Sequence, residues 1–453
     1  MKIIIVGGGI AGLYAAYKLM WYNHDIIILE KAGELGGRIS TEYFQNHILE
    51  NGPMRFEPSL QQEFDKLIQD LDVPIEDFSP YSCASESPDF NHLTLDEIKA
   101  VKAYKDLHPA FALLKFGLIK ILDEQWDVEN DDIKCIDRDR YKQYLKKHGT
   151  FQGRPLHDFG LWDTLAHVLS KYALDYLQNK GTFYHMLCIN PNAADQICFM
   201  LDILATTKDK LFTIKNGSYT LIEKLIAKLT NNVQVYLNTG VVGFEEEDSQ
   251  IQVQISSDEK ITCDHIIFTC QKHAYKEISG FTPDIYGLLN SVMLVKLYKI
   301  FIIIDNPPFN ENTVPSANWN ADKIPCREIH YSYDDENKTG MIMIYGDYPT
   351  INYWKTFNSN KRHLKNHLMH YLRCIFPKFS PRILHCYIKD WSARPDRTGV
   401  HLWRPGYVSE DVIKHLKCFG LNKNIHICGE TYSNYQGFIE GSLRSVNNVL
   451  QTI

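Results

Sequence analysis

No apolar run in this 453-residue chain reaches the roughly 20 residues that a bilayer-spanning helix needs, so no membrane role is expected. Positive charge is also scarce. Lys and Arg number 48 against 55 Asp and Glu, a net −7, and no basic stripe is visible, which argues against nucleic-acid binding as the main task. The eleven cysteines are odd in number, scattered, and never spaced as CxxC, so reduced thiols in a cytosol-like compartment are expected rather than a disulfide framework. The first apolar strand pattern starts at Lys2, which leaves no room for a cleavable leader, and a cytoplasmic location is expected. The sequons at Asn216 and Asn337 then carry no weight. There is no internal repeat and no low-complexity tract. The length predicts two or three domains.

What is present is concentrated first in Lys2 to Ser40. Ile3 to Val6 reads as a buried parallel strand. Gly7, Gly9 and Gly12 follow at the spacing of a dinucleotide fold: a tight turn, a close backbone approach to a pyrophosphate, and helix packing on strand. Ala11 to Met20, entered through Ile10, reads as a helix whose first amides and dipole face the phosphates. The second strand, Asp25 to Leu29, ends at Glu30, followed by Lys31, and a carboxylate there can accept from ribose hydroxyls.

The rest of the chain alternates in character. Leu60 to Leu71 has helical spacing, and Phe78 to Asn91 is a Ser/Pro/Asp-rich loop. From Thr94 to Lys208 helical patterns dominate, among them FALLKFGLIKILDEQW and LWDTLAHVLSKYALDYLQ. A helix over Thr220 to Leu229 precedes strands at Gln234 to Leu237, Ile251 to Ile255 and Ile266 to Thr269, with the acidic cluster Glu245 to Asp248 read as a solvated turn. Leu288 to Ile304 and Arg327 to Tyr345 read as long β segments of an antiparallel sheet, His363 to Ile375 as a helix, and Cys386 to Trp391 as a strand. His363, His367 and His370 share a helical face, but no carboxylate or cysteine joins them, and a solvated face rather than a metal site is expected. Near the end, strand Ile425 to Cys428 delivers Gly429 and Glu430, and Gly437 opens a final helix after seven residues.

Several of these stretches carry a resemblance. Gly36-Gly37-Arg38 in LGGRIS is similar to the GGR segment of the flavin amine oxidase family, and GETYSNYQGFIEG, containing Gly429, Glu430, Gly437, Phe438 and Ile439, is similar to its C-terminal motif. Gly52-Pro53-Met54-Arg55 resembles the GPMR segment of the L-amino-acid oxidase branch, whose arginine forks onto the substrate carboxylate; the other reading is an arginine that braces the flavin or a structural acid. The resemblance implies a Rossmann-like FAD-binding domain built from discontinuous segments, a mixed-sheet substrate domain and a helical insertion. The expected bounds are 1–55, 209–272 and 391–453 for FAD binding, 56–93 and 273–390 for substrate, and 94–208 for the insertion.

The same resemblance implies site residues. Lys299 falls where the family holds a lysine and its water near flavin N5, with Lys296 as competitor. Tyr331 is the expected second carboxylate ligand, preferred over His330. Phe438 and Trp403 are expected as aromatic walls, Trp403 with an ordinary core role as the alternative, and Trp391 opens WSARPDRTG, a segment leading to that wall. Val241 resembles the valine whose backbone meets adenine, or is simply a sheet residue. No cysteine lies near Gly399 and Val400, so FAD is expected to be non-covalent. The implied reaction is hydride transfer from an α-amino acid, or failing that an amine, to flavin N5, with Gly437 O accepting from the amine. The imine hydrolyses to a 2-oxo acid and ammonia, and O2 is reduced to hydrogen peroxide. A non-catalytic interaction protein on the same fold is the remaining alternative.

Overall fold

The apolar runs at both ends of the chain meet in one parallel sheet in the computed structural model, which describes residues 1–78, 88–122, 138–180, 189–205, 210–315, 318–319, 324–347, 350–358, 360–380, 382–393 and 398–453. The sheet order is Ile425–Ile427, His265–Phe268, Lys2–Val6, Asp25–Leu29, Val233–Tyr236, all parallel. Its central strands are apolar throughout because both faces are covered. Ile3 and Ile5 pack toward the helices Ile10–Leu19 and Ile439–Leu450, while Ile4 and Val6 pack toward the antiparallel strands Val241–Glu247, Gln250–Ile255 and Lys260–Cys263. Of the sequence expectations, residues 79–87 of the loop, 123–126 of one helical pattern, 206–208 at the end of the helical block and 394–397 of the WSARPDRTG segment lie outside the described residues.

A second sheet is antiparallel, in the order Asn318–Trp319, Glu328–Asp334, Thr339–Asp347, Leu297–Asp305, Arg382–Asp390. Its register sets everything that follows. Tyr298, Ile300, Ile302 and Ile304 face the helices Thr350–Asn358 and Lys361–Ile375, and Phe301 and Ile303 face the other way, against Leu49 of the hairpin Thr41–Phe44 and His47–Glu50. Lys299 shares that second face, opposite Tyr345 on one neighbouring strand and Lys389 on the other.

Leu288 to Ile304 is not one β segment. Thr282 caps a short helix, Pro283–Leu289, with proline in its first turn, so the chain is helical there; it then forms Val292–Val295, which pairs with Val400–Trp403, before Leu297–Asp305 joins the large sheet. The cluster Glu245 to Asp248 is also mostly strand. Glu245 and Glu247 occupy its exposed face opposite buried Phe244, and the chain turns only at Asp248, with φ +51°. The described helical elements, including Leu95–Ala103, Pro109–Leu122, Leu161–Val168, Lys171–Lys180 and Ala193–Ala205, enclose their own apolar core. No helix among the described residues is long and apolar enough to cross a membrane.

Candidate active site

The first glycine turn is built tightly at two points and left open at a third. Gly7 has φ +110°, and a Cβ on Gly12 would lie 1.9 Å from Gly7 O, so only glycine lets helix and turn meet. Gly9 is different. Its φ of −76° suits any residue, and a Cβ there would meet nothing nearer than Gly37 Cα at 3.9 Å. Neither backbone strain nor packing demands glycine at position 9, which leaves the close approach of a ligand. The second turn lies against the first through a Gly36 N–H bond to Gly8 O (2.9 Å). The helix beginning at Ile10 and Ala11 has no side-chain cap and no acid in its first turn, so its amides are available to an anion. Glu30 accepts from Gly8 N (2.6 Å) and Ala32 N (2.7 Å), holding the turn from the strand end. Lys31 points to solvent and pairs with Glu277. Val241 is buried at the start of its strand, two residues past Thr239, whose N–H donates to Glu30 O (2.8 Å).

The C-terminal motif meets this turn through a partly buried ion pair. Arg38 donates to Glu430 Oε2 (2.7 Å) and to Gly399 O (3.0 Å). Glu430 also accepts from His401 N (2.9 Å) and Gly437 N (2.9 Å) and pairs with His401 Nδ1 (2.9 Å). Burial alone would raise the Glu430 carboxyl, but Arg38 and His401 override it and hold it far below the carboxylate range. Gly429 and Gly437 both have positive φ, and a Cβ on Gly437 would meet nothing nearer than Val400 Cγ1 at 3.8 Å. Phe438 precedes the helix that starts at Ile439, and that N-terminus also lacks a side-chain cap. The absence of any close contact at Gly9 and Gly437, with an uncapped helix beside each, fits a long dinucleotide laid from one end of the chain to the other.

Between these turns and the antiparallel sheet is a cavity of about 1340 Å³, lined among others by Gly52, Pro53, Met54, Arg55, Lys299, Trp403, Gly437, Phe438 and Ile439. Lys299 is buried on its wall and donates from Nζ to Glu50 O (2.7 Å) and Gly52 O (2.6 Å). Burial pushes this amine down to about 8, partly countered by Glu50. Lys296 is exposed at the join between two strands, so of the two lysines it is Lys299 that faces the cavity. Gly52 is dictated by packing, since a Cβ would lie 2.0 Å from Arg38 O. Pro53 O accepts from Ser218 Oγ (2.7 Å), and Trp391 Nε1 donates to Asn51 O (2.7 Å), fixing the backbone on which Arg55 stands.

Arg55 reaches the cavity, but its fork is already engaged. Nη1 and Nη2 donate to Glu328 Oε2 (3.1 Å) and Oε1 (3.2 Å), and the Phe78 ring lies 5.7 Å from the guanidinium. Glu328 also meets Arg327 Nε (3.4 Å) and His330 Nε2 (3.0 Å). Its burial would raise the carboxyl; Arg55 and Arg327 together drive it far below the usual range.

Tyr331 is not in this group. Glu328 and His330 lie opposite Tyr345 and Met343, on the cavity side, whereas Tyr331 lies opposite Ile342 and turns into the helix-covered layer beside Phe309 and Phe376. The phenol of this sheet that lines the cavity is Tyr345, across the strand pair from Lys299, with the Arg327 guanidinium 5.4 Å from its ring and its own ionisation pushed up to about 12 by burial. The signal was present in Glu-Ile-His-Tyr-Ser-Tyr-Asp, where polar and apolar residues alternate from Glu328: strand periodicity puts Tyr331 with Ile329 and Tyr333, away from Glu328. Phe438 forms an aromatic wall with Phe199 and Tyr435 (centroids 5.8 and 5.2 Å). Trp403 is 2% exposed and donates from its indole to Ser433 O (3.2 Å), so it is a core residue whose edge closes the cavity.

A glycine-turn cradle joined to a second, uncapped helix terminus, with a large cavity beside the antiparallel sheet, defines a dinucleotide-binding protein. The chain belongs to the family of flavin containing amine oxidoreductases, whose sequence model matches residues 10–448. It is therefore an FAD-dependent amine oxidoreductase. It is 22% identical over 479 residues to an L-amino-acid oxidase of Demansia vestigiata, covering 98% of this chain and 85% of that protein. It is 24% identical over 379 residues to one of Crotalus adamanteus, covering 79% and 68%. The solved structure of wild-type putrescine oxidase bound to putrescine shares the fold, with a TM-score of 0.72 at 14% identity over 100% of this chain and 99% of that one.

Proposed function

We propose that this protein oxidises the Cα–N bond of an L-α-amino acid, giving a 2-oxo acid and ammonia after the imine hydrolyses, with hydrogen peroxide as co-product. The observation that carries this reading is the gathering of Arg55, Arg327, Lys299 and Tyr345 in the lining of one cavity that Phe438 also lines. FAD, when bound, supplies the hydride acceptor and passes the electrons to O2.

The chain's own residues do the rest. Arg55 and Tyr345 orient the carboxylate, and Gly437 O accepts from the amine, so that the Cα–H is presented in one direction; orientation of this kind supplies a large share of the rate. The apolar wall of Phe438 excludes water and favours the neutral amine, which an ammonium cannot replace because it has no lone pair to stabilise the developing iminium. Lys299, held by two carbonyls, keeps a positive charge at Nζ below pH 8 where negative charge arises during oxygen reduction. The cofactor is held without a covalent bond, because positions 399 and 400 are Gly and Val. The described cysteines are free thiols, which fits a reducing, cytosol-like compartment.

A second reading is favoured by Glu328 in the fork of Arg55: oxidation of an amine without a carboxylate. Peroxide release across amino acids and their decarboxylated amines separates the two. With Arg55→Ala, kcat/KM for amino acids should fall on the order of 100-fold while amine turnover and bound FAD persist. An equal fall for both classes removes the carboxylate role. A colourless protein that yields no peroxide on either panel points instead to a non-catalytic interaction protein.

A further inference from the structure

The Arg55–Glu328 pair differs from an ordinary buried ion pair in how its members face the cavity. Arg55 is 23% exposed there, Glu328 only 1%, so the acid lies behind the guanidinium and not beside it. The contact is two-for-two, at 3.1 and 3.2 Å, the geometry a substrate carboxylate would adopt on the same arginine. Glu328 does not depend on Arg55 alone. His330 Nε2 at 3.0 Å and Arg327 Nε at 3.4 Å remain beside it, and Arg327 also approaches Asp347 at 3.8 Å. If Arg55 swings toward a ligand, Glu328 therefore keeps charged and hydrogen-bonding partners, and the usual penalty for stranding a buried charge is reduced.

We propose that Glu328 is a specificity-determining residue, an internal carboxylate that occupies and neutralises Arg55 and that any carboxylate-bearing ligand must outcompete. The inference rests on the reading of Arg55 as the carboxylate anchor. Glu328 thereby lowers affinity for carboxylates and leaves amines without one untouched, which narrows the difference between the two substrate classes. Direct binding of a substrate ammonium by Glu328 is excluded by its place behind Arg55.

The test is a titration of the FAD-loaded protein with benzoate, a carboxylate without an amine, followed by perturbation of the flavin absorption spectrum. With Glu328→Gln, the dissociation constant should fall on the order of ten-fold, because a unit negative charge close to the guanidinium is removed without changing side-chain shape. The double variant Arg55→Gln/Glu328→Gln should lose that gain. Should Glu328→Gln fail to fold or retain FAD, Glu328→Asp keeps the charge but withdraws it by one methylene, and a gain of about three-fold is expected. Benzoate binding to the folded variant that is no tighter than to the unaltered protein overturns the proposal, as does a gain that survives in the double variant. The titration needs no turnover, so a protein that oxidises no amino acid yet gains benzoate affinity would sink the functional reading and leave the role of Glu328 standing.

Discussion

Lys299 illustrates how burial changes the chemistry of a single side chain. Its ammonium donates to two carbonyls, and its removal from water brings its pKa down to about 8, within reach of ordinary assay conditions. Below that value the charge is present; above it the charge is lost. Oxidation of the reduced enzyme by O2, followed in a stopped-flow mixer, should therefore slow as pH rises through 8, and Lys299→Met should slow it on the order of 100-fold at pH 7 and abolish that pH step. An unchanged reoxidation rate in the variant would remove the lysine from the oxygen step. The choice between Lys299 and Lys296 could not be made from the sequence, because both follow a loosely patterned apolar stretch; the exposed join between two strands settles which one faces inward. Tyr331 and Tyr345 make the same point with opposite sign: one phenol was chosen by resemblance, and strand register turned it away.

Among the elements, the glycine turns were the most legible, because their chemistry is local. A turn, a close approach and a helix contact lie within six residues, and the backbone alone imposes them. The structure then separates a glycine whose packing the fold requires from one whose packing it does not. Gly12→Ala should disrupt the turn itself and yield little folded protein, since its Cβ would lie 1.9 Å from Gly7 O. Gly9→Ala should fold normally by circular dichroism and thermal melting yet retain much less FAD, measured as the ratio of flavin absorbance to protein absorbance. Full FAD content in Gly9→Ala would show that the cofactor does not pass over that turn. The helical block was legible only in character, and the Leu288 to Ile304 region was misread as continuous strand because its apolar residues mask a helix cap at Thr282 and a change of sheet at Lys296.

At the scale of the whole molecule, the two ends of the chain are locked by Arg38 and Glu430, 392 positions apart. The Glu430 carboxyl is held far below its ordinary value of 4.5, so its contribution to stability is present above that pH. It is lost progressively as pH falls below 4.5, because the unfolded chain takes up the proton first. Glu430→Gln should lower unfolding stability by about 3 kcal/mol at pH 7, measured by denaturant titration, and flatten the decline between pH 5 and 3. A variant as stable as the parent at pH 7 would show that the pair does not join the two halves. The helical block is tied to the C-terminal segment by hydrogen bonds: Asn192 donates to the carbonyls of Arg404 (3.1 Å) and Tyr407 (2.9 Å), and Ser409 Oγ donates to Asp195 (2.7 Å).

The amino-acid order by itself determined what depends on neighbours in the chain: the nucleotide turns, the acid at the second strand end, the glycine-led final helix, and the kind of cofactor they hold. It also placed an arginine after Gly52-Pro53-Met54, at a position set by a glycine that no other residue can replace. Only the tertiary structure decided that this arginine faces a glutamate 273 positions away, and that Tyr345 rather than Tyr331 looks into the cavity. The reason is physical. A strand's own alternation fixes which residues share a face, but which face meets the cavity, and which distant charge arrives there, is set by pairing between strands far apart in the chain.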